Sequence, residues 1–297
     1  MPSPDEPAPS ERRNALERLL SVFTRVKAGE GISAVLLTLN VFLLLTAYYV
    51  IKPLRDSMIS LMEGGPQYAS YLSAVIAVAL LGAVPAYARF AKRLPRNRLV
   101  VGVTLFFVSN LLLFGFAMAS DTLRATCIPL GPLGAVLPTT SVELMPVLFF
   151  VWVGLFNMMV VAQFWSFAND YYTEEQGKRL FAIIGFGMSA GAVFGGFITK
   201  KLIHPLGLYQ LMLLSAALLI VSLLLTFLAA KRKQSSEVDP VVSRPADAEK
   251  ISGPGGFALV FRNRYLLLIA LMIILMNLVN TTGEYILGAK VKDAGEE

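Results

Sequence analysis

Chemistry-bearing residues are scarce in this 297-residue chain, which has one cysteine, one histidine and only 15% charged residues. Soluble domains carry roughly a quarter. Cys127 alone cannot close an intramolecular disulfide, so no disulfide framework exists. With His204 as the sole histidine, a histidine-based metal site or catalytic triad has no footing. A phosphate-cradling loop is missing as well. The pattern G-x-x-x-x-G-K-[ST] fails at Gly177-Lys178, where Tyr172 replaces the first glycine and Arg179 the final hydroxyl residue. No convergent acid, base and nucleophile point to an enzyme, and no residues point to a cofactor. The opening MPSPDEPAP is acidic and Pro-rich, which reads as a disordered tail and not as a signal peptide.

What the chain has is apolar length. Apolar residues make up 56% of it, in repeated runs near or above 18 residues, the length of a membrane-crossing helix. The expected class is an all-α polytopic membrane protein embedded in a lipid bilayer. Residues 10–27 place Leu16, Leu19, Leu20, Phe23 and Val26 on one helical face among arginines, a pattern for a helix lying on the membrane surface. Spans are expected at about 32–51 (continuing to 61), 68–87, 99–119, 145–167, 180–198, 206–230 and 265–288. Residues 120–144 form a longer connection. The resulting domains are a tail (1–30), a six-helix half (31–230), a polar linker (231–256) and the start of a second half (257–297). With the N-terminus inside, 19 of the 26 Lys and Arg fall in inside segments and 7 outside, which sets a cytoplasmic N-terminus. Topology thus absorbs the net charge of +6, and no nucleic acid is implied.

Three polar stretches stand out. Tyr48, Lys52 and Arg55 lie at i, i+4 and i+7 near the end of the first span, with Asp56 beside them and Pro53 between. Cations so near hydrocarbon need a wet cavity, a partner or an escape to the interface. Between the fourth and fifth spans come Asn169, Asp170, a capping box at Thr173–Gln176 and the basic pair Lys178 and Arg179. Asp170 is expected to pair with Lys178 or Arg179. Gly187, Gly191 and Gly195 then bare one helix face for close approach by a neighbour. In the seventh span, Asn277, Asn280, Thr281 and Glu284 form one polar face. Residues 46–51 and 282–287 share a pattern, a sign of an internal repeat with spans one and seven as counterparts.

YYVIKPLRDSM, FWSFANDYYTEEQGKRLFAIIGFGMSAGA and NLVNTTGEYIL together resemble the non-mitochondrial nucleotide exchange transporters of plastids, obligate intracellular bacteria and their free-living bacterial relatives. The resemblance covers residues 32–288. It implies a major-facilitator-like fold of twelve spans, of which about seven are present, so that about five further spans are expected. It also implies exchange of ATP for ADP, or similar NTP/NDP, across a bacterial inner membrane, with no obligate protein partner. Lys52, Arg55 and Asp56 match the family's first-span charges, Asp170 its acid after F-A-N, and Lys178 and Arg179 its basic pair. The seventh span departs: Asn280 stands where an acid is usual and Glu284 where a base is usual. The alternative is a major-facilitator-type carrier of another organic anion or small solute. The loop after span two, ARFAKRLPRNR, lacks the G-x-x-x-D-R of ordinary members.

Overall fold

A computed structural model of the protein describes residues 14–93, 96–124, 126–129, 131, 141–236 and 256–296. Its helices are α1 (Ala15–Leu20), α2 (Gly31–Ser60), α3 (Gly65–Arg93), α4 (Arg96–Ala119), α5 (Asp121–Arg124), α6 (Leu144–Tyr171), α7 (Glu174–Ser236), α8 (Gly256–Arg262) and α9 (Arg264–Glu296). Two three-residue strands, β1 (Cys127–Pro129) and β2 (Ser141–Glu143), pair antiparallel in the connection between α4 and α6. Among the described residues, six helices are long and apolar enough to cross a membrane. One of them, within α7, runs 59 residues. At 1.5 Å per residue that is about 88 Å, far more than one crossing of about 30 Å. Gly207, with φ 80° and ψ 177°, breaks it into two arms just after Pro205. Only glycine adopts that φ without strain, and proline removes a helix donor beside it. The described residues therefore carry seven crossing segments, and the fold is the all-α polytopic membrane protein expected.

The first arm of α7 packs along α2, and the glycines explain how. A Cβ on Gly187 would sit 2.6 Å from Thr38 Cγ2, one on Gly195 would sit 2.7 Å from the Thr46 carbonyl, and one on Gly191 would run into the Phe42 carbonyl. Three glycines four residues apart thus face three α2 residues four apart, and the two helices run parallel with backbones nearly touching. Dispersion from that contact substitutes for the hydrophobic effect, which is weak between helices in lipid. The Thr46 hydroxyl, bonded to the Phe42 carbonyl at 2.7 Å, also reaches the Gly191 carbonyl at 3.3 Å.

Between α2, α4 and α6 the core is aromatic. The Trp152 ring stacks between Phe149 and Phe156, and Phe107 and Phe114 meet the stack edge-on or tilted. The central part of α2 is 61% buried, against 6% for α3 and none for α9. Span one is therefore the hub of the bundle, while spans two and seven lie on its outside.

The N-terminal segment differs from expectation. Its helix is confined to Ala15–Leu20, with residues 10–13 outside the described ones, and the chain then folds back onto the ends of α2 and α7. The cause is Glu17, which is 3% exposed. Its carboxylate accepts from the Asn14 amide at 2.8 Å and from the Gly29 amide at 2.6 Å, fixing a turn in which Gly29 takes φ 87°.

Candidate functional site

The ten candidate residues fall into two groups at opposite ends of α2. Glu30, at the N-terminus of α2, touches Arg179, whereas Lys52 lies 22 residues further along. That separation is about 33 Å along a helix. They do not form one constellation.

At the far end, Lys52 Nζ lies 3.3 Å from Glu284 Oε1 of α9, so a cation of the first span is tied to the polar face of the seventh. Arg55 is more enclosed, with its side chain 12% exposed. Its guanidinium meets Asp56 Oδ1 at 2.6 Å and lies 4.3 Å from the centre of the Phe150 ring. A carboxylate on one side and an aromatic face on another hold it firmly, because a planar guanidinium suits both. Tyr48, one turn below Lys52, is buried against Tyr49 and Phe156. Counted from the middle of α2, Lys52 stands about 10 Å and Arg55 about 14 Å towards the C-terminal end, at the edge of a 30 Å hydrocarbon layer. In α9, Asn277 and Asn280 are exposed, and the Asn277 amide donates to the Ile273 carbonyl of its own helix at 2.9 Å.

At the near end, the capping box forms as expected. The Thr173 amide donates to Gln176 Oε1 at 3.1 Å, and the Gln176 amide to Thr173 Oγ1 at 3.4 Å. The basic pair behind it is divided. Lys178 reaches Glu174 at 2.7 Å, with both side chains largely in solvent. Arg179 turns inward, gripping both oxygens of Glu30 at 2.9 Å and the Arg25 carbonyl at 2.6 Å. Glu30 also takes the Lys27 amide at 2.9 Å and Gln176 Nε2 at 3.3 Å. Burial works to raise its pKa, but these donors, Arg179 first, outweigh it and hold the carboxyl below the ordinary value. Burial pushes the Tyr172 hydroxyl the other way, upward. The expected Asp170 pairing is thus corrected on the Arg179 side: the carboxylate across from it is Glu30, which a reading confined to the fourth–fifth connection did not weigh. Asn169 and Asp170 are exposed on the last turn of α6.

A third polar cluster lies inside the bundle. Asn40 of α2 donates to the Ser222 carbonyl at 2.8 Å and to Thr226 Oγ1 at 2.6 Å on the second arm of α7. Across a small cavity, Gln163 Nε2 donates to the Val100 carbonyl at 3.1 Å, joining α6 to α4. An asparagine in an apolar run was the available signal for this cluster, since intramembrane amides seek partners on other helices.

A chain with two ends of charge joined by a tightly packed helical hub has the construction of a membrane carrier. The family model described as Major Facilitator Superfamily matches residues 32–289, most of the chain. The chain belongs to that superfamily. No curated protein and no solved structure matches it. As a major facilitator protein it is an integral membrane transporter, built to move a small molecule across a lipid bilayer, and its family is one of carriers and not of enzymes.

Proposed function

We propose that this major facilitator protein is an antiporter for nucleotides, exchanging ATP for ADP or a similar NTP/NDP pair, with its N-terminus on the cytoplasmic side of a bacterial inner membrane. The observation that carries the reading is the Lys52 ammonium held 3.3 Å from a carboxylate of another span, beside a half-enclosed arginine. Such a cation is poised to exchange Glu284 for a phosphate oxygen. Lys52 serves as the movable charge and Arg55 as the fixed one, while Asp56 and Glu284 hold both when no substrate is present. Asn277 and Asn280 extend the polar face of α9 towards the bilayer centre. At the opposite end, Asn169, Asp170, Lys178 and Arg179 belong to the cytoplasmic gate.

A second reading is favoured by one detail. Arg55 is already satisfied by Asp56 and Phe150, so that of the two first-span cations Lys52 is the one with a partner easily replaced. One exchangeable first-span cation balances a singly charged organic anion better than a nucleotide with three or four charges.

Counter-exchange of labelled ATP against internal ADP in proteoliposomes separates the two. Under the nucleotide reading, ADP saturates, Lys52→Ala raises KM by about tenfold or more, and Arg55→Ala abolishes exchange while Arg55→Lys retains a part. Exchange of organic monoanions with no competition by ADP would decide for the second reading. Unchanged kinetics in a Lys52→Ala, Arg55→Ala double variant would overturn both.

A further inference from the structure

The bundle has a second recess that the transport reading does not use. It lies on the outside, between the last turns of α3 and residues 98–107 of α4, and has a volume of about 480 Å³. That is within the 300–1,000 Å³ of small-molecule sites. Small residues, Ala83 and Ala86 on α3 and Gly102 on α4, line it together with Phe106, Phe107 and Met159. From Arg98 to Phe107 it runs about 13 Å along the helix, from the membrane surface into the hydrocarbon layer. Arg98, exposed, stands at its mouth on the third residue of α4. The mouth therefore combines a guanidinium with the positive end of a 24-residue helix. The recess is largely apolar in its lining, carries the Arg98 cation at one end, and lies against a helix whose central part is 6% buried among the described residues.

We propose that this groove binds one phospholipid with an anionic headgroup from the leaflet on the basic side of the protein. One acyl chain lies along Gly102 and Ala83, and the headgroup phosphate meets Arg98. Charge complementarity selects this occupant: a neighbouring apolar helix would fill the groove but leave the basic mouth unanswered, while an anionic lipid satisfies both. The leaflet follows from the Lys/Arg excess, which puts the loop at 89–98 on the inner side.

Gly102 supplies a clean test, because a side chain added there meets no atom within 4 Å and would project into the groove. The purified protein is reconstituted with equal amounts of phosphatidylglycerol and phosphatidylcholine, and the lipid retained after delipidation is counted by native mass spectrometry. The expected result is one retained lipid with roughly a fivefold preference for phosphatidylglycerol, the factor one basic residue near an anionic surface supplies. Gly102→Leu should lose the retained lipid, and Arg98→Gln should keep a lipid but lose the preference. Equal retention of the two lipids by the wild type, unaltered retention in Gly102→Leu, or occupation of the groove by a second copy of the chain, seen as a dimer that Gly102→Leu dissociates, would each overturn the proposal.

Discussion

Removing the Arg179 guanidinium would strand the Glu30 carboxylate at the base of span one with only an amide and a glutamine to meet it. Breaking a buried pair from one side costs about 3 kcal/mol. Arg179→Ala is therefore expected to lower Tm markedly, and Arg179→Lys to recover only part of it, because one ammonium cannot serve both Glu30 oxygens and the Arg25 carbonyl together. The sign of the pH dependence follows. Glu30 is depressed below its ordinary 4.5 in the folded protein, so its stabilisation is present above about that value and is lost as pH falls through the lower folded value. Thermal melts of the wild type should weaken on acidification below pH 4.5, and those of Arg179→Ala should change less across the same window. Lys52, Arg55 and Glu284 are legible in the sequence because charge is conspicuous in an apolar run. Glu30 is not: an acid just before a span looks like an ordinary surface residue, and its partner lies 149 positions away.

At the scale of elements, the glycine ladder of α7 makes a sharper distinction than composition does. A methyl at Gly191 would overlap the Phe42 carbonyl, which is backbone and cannot rotate away, whereas one at Gly185 or Gly196 meets nothing within 4 Å. Gly191→Ala should cost about 1–3 kcal/mol by forcing α2 and α7 apart. Gly196→Ala should stay within about 1 kcal/mol of the wild type, helped by alanine's better helix propensity. Melting both variants in detergent checks the pair, and equal losses would mean the helices do not meet through this face. The ladder was readable because small residues every four positions have one use in lipid. Span lengths were readable for the same reason that hydropathy works: an exposed backbone cannot cross hydrocarbon. The strands β1 and β2 were not, since three residues each are too few for an alternating pattern to show. The N-terminal surface helix was overextended because its apolar spacing was visible, while the buried Glu17 that caps its start and ties down the Gly29 turn was indistinguishable from the charges around it.

Over the whole molecule, burial is unequal in a way that bears on motion. Span one is enclosed by the first arm of α7, by α6 and by the Asn40 cluster with the second arm. The helix α9 contributes no buried residues in its central part and leans on α3. Its polar link to the hub is Lys52–Glu284. The sequence pattern offers spans one and seven as counterparts lining a shared pathway; the structure brings them together at Lys52–Glu284, with α9 packed on α3. The pattern could not supply the level at which they touch, because register between helices far apart in the chain is set by packing, not by local pattern.

That link is where a rocking carrier would open, and its strength can be measured. The two side chains are 29% and 53% exposed, so solvent screens the pair and its worth is about 0.5–1 kcal/mol, short of what a buried bridge would give. A double-mutant cycle with Lys52→Gln, Glu284→Gln and both together should return a coupling of that size in Tm-derived stability. The coupling should shrink in 1 M salt, where the Debye length is about 3 Å and close to the 3.3 Å separation itself. Reversal of both charges, Lys52→Glu with Glu284→Lys, should restore the wild-type melt, while either reversal alone sets like charges against one another and lowers it. Under the proposed exchange, in which Glu284 holds Lys52 in the empty carrier and Lys52 meets substrate, loss of the tie should speed opening at that end and cost substrate affinity only in the Lys52 variants. A coupling of zero in low salt, with single reversals as stable as the double, would mean that α9 docks on the bundle by other contacts and that Lys52 faces solvent alone.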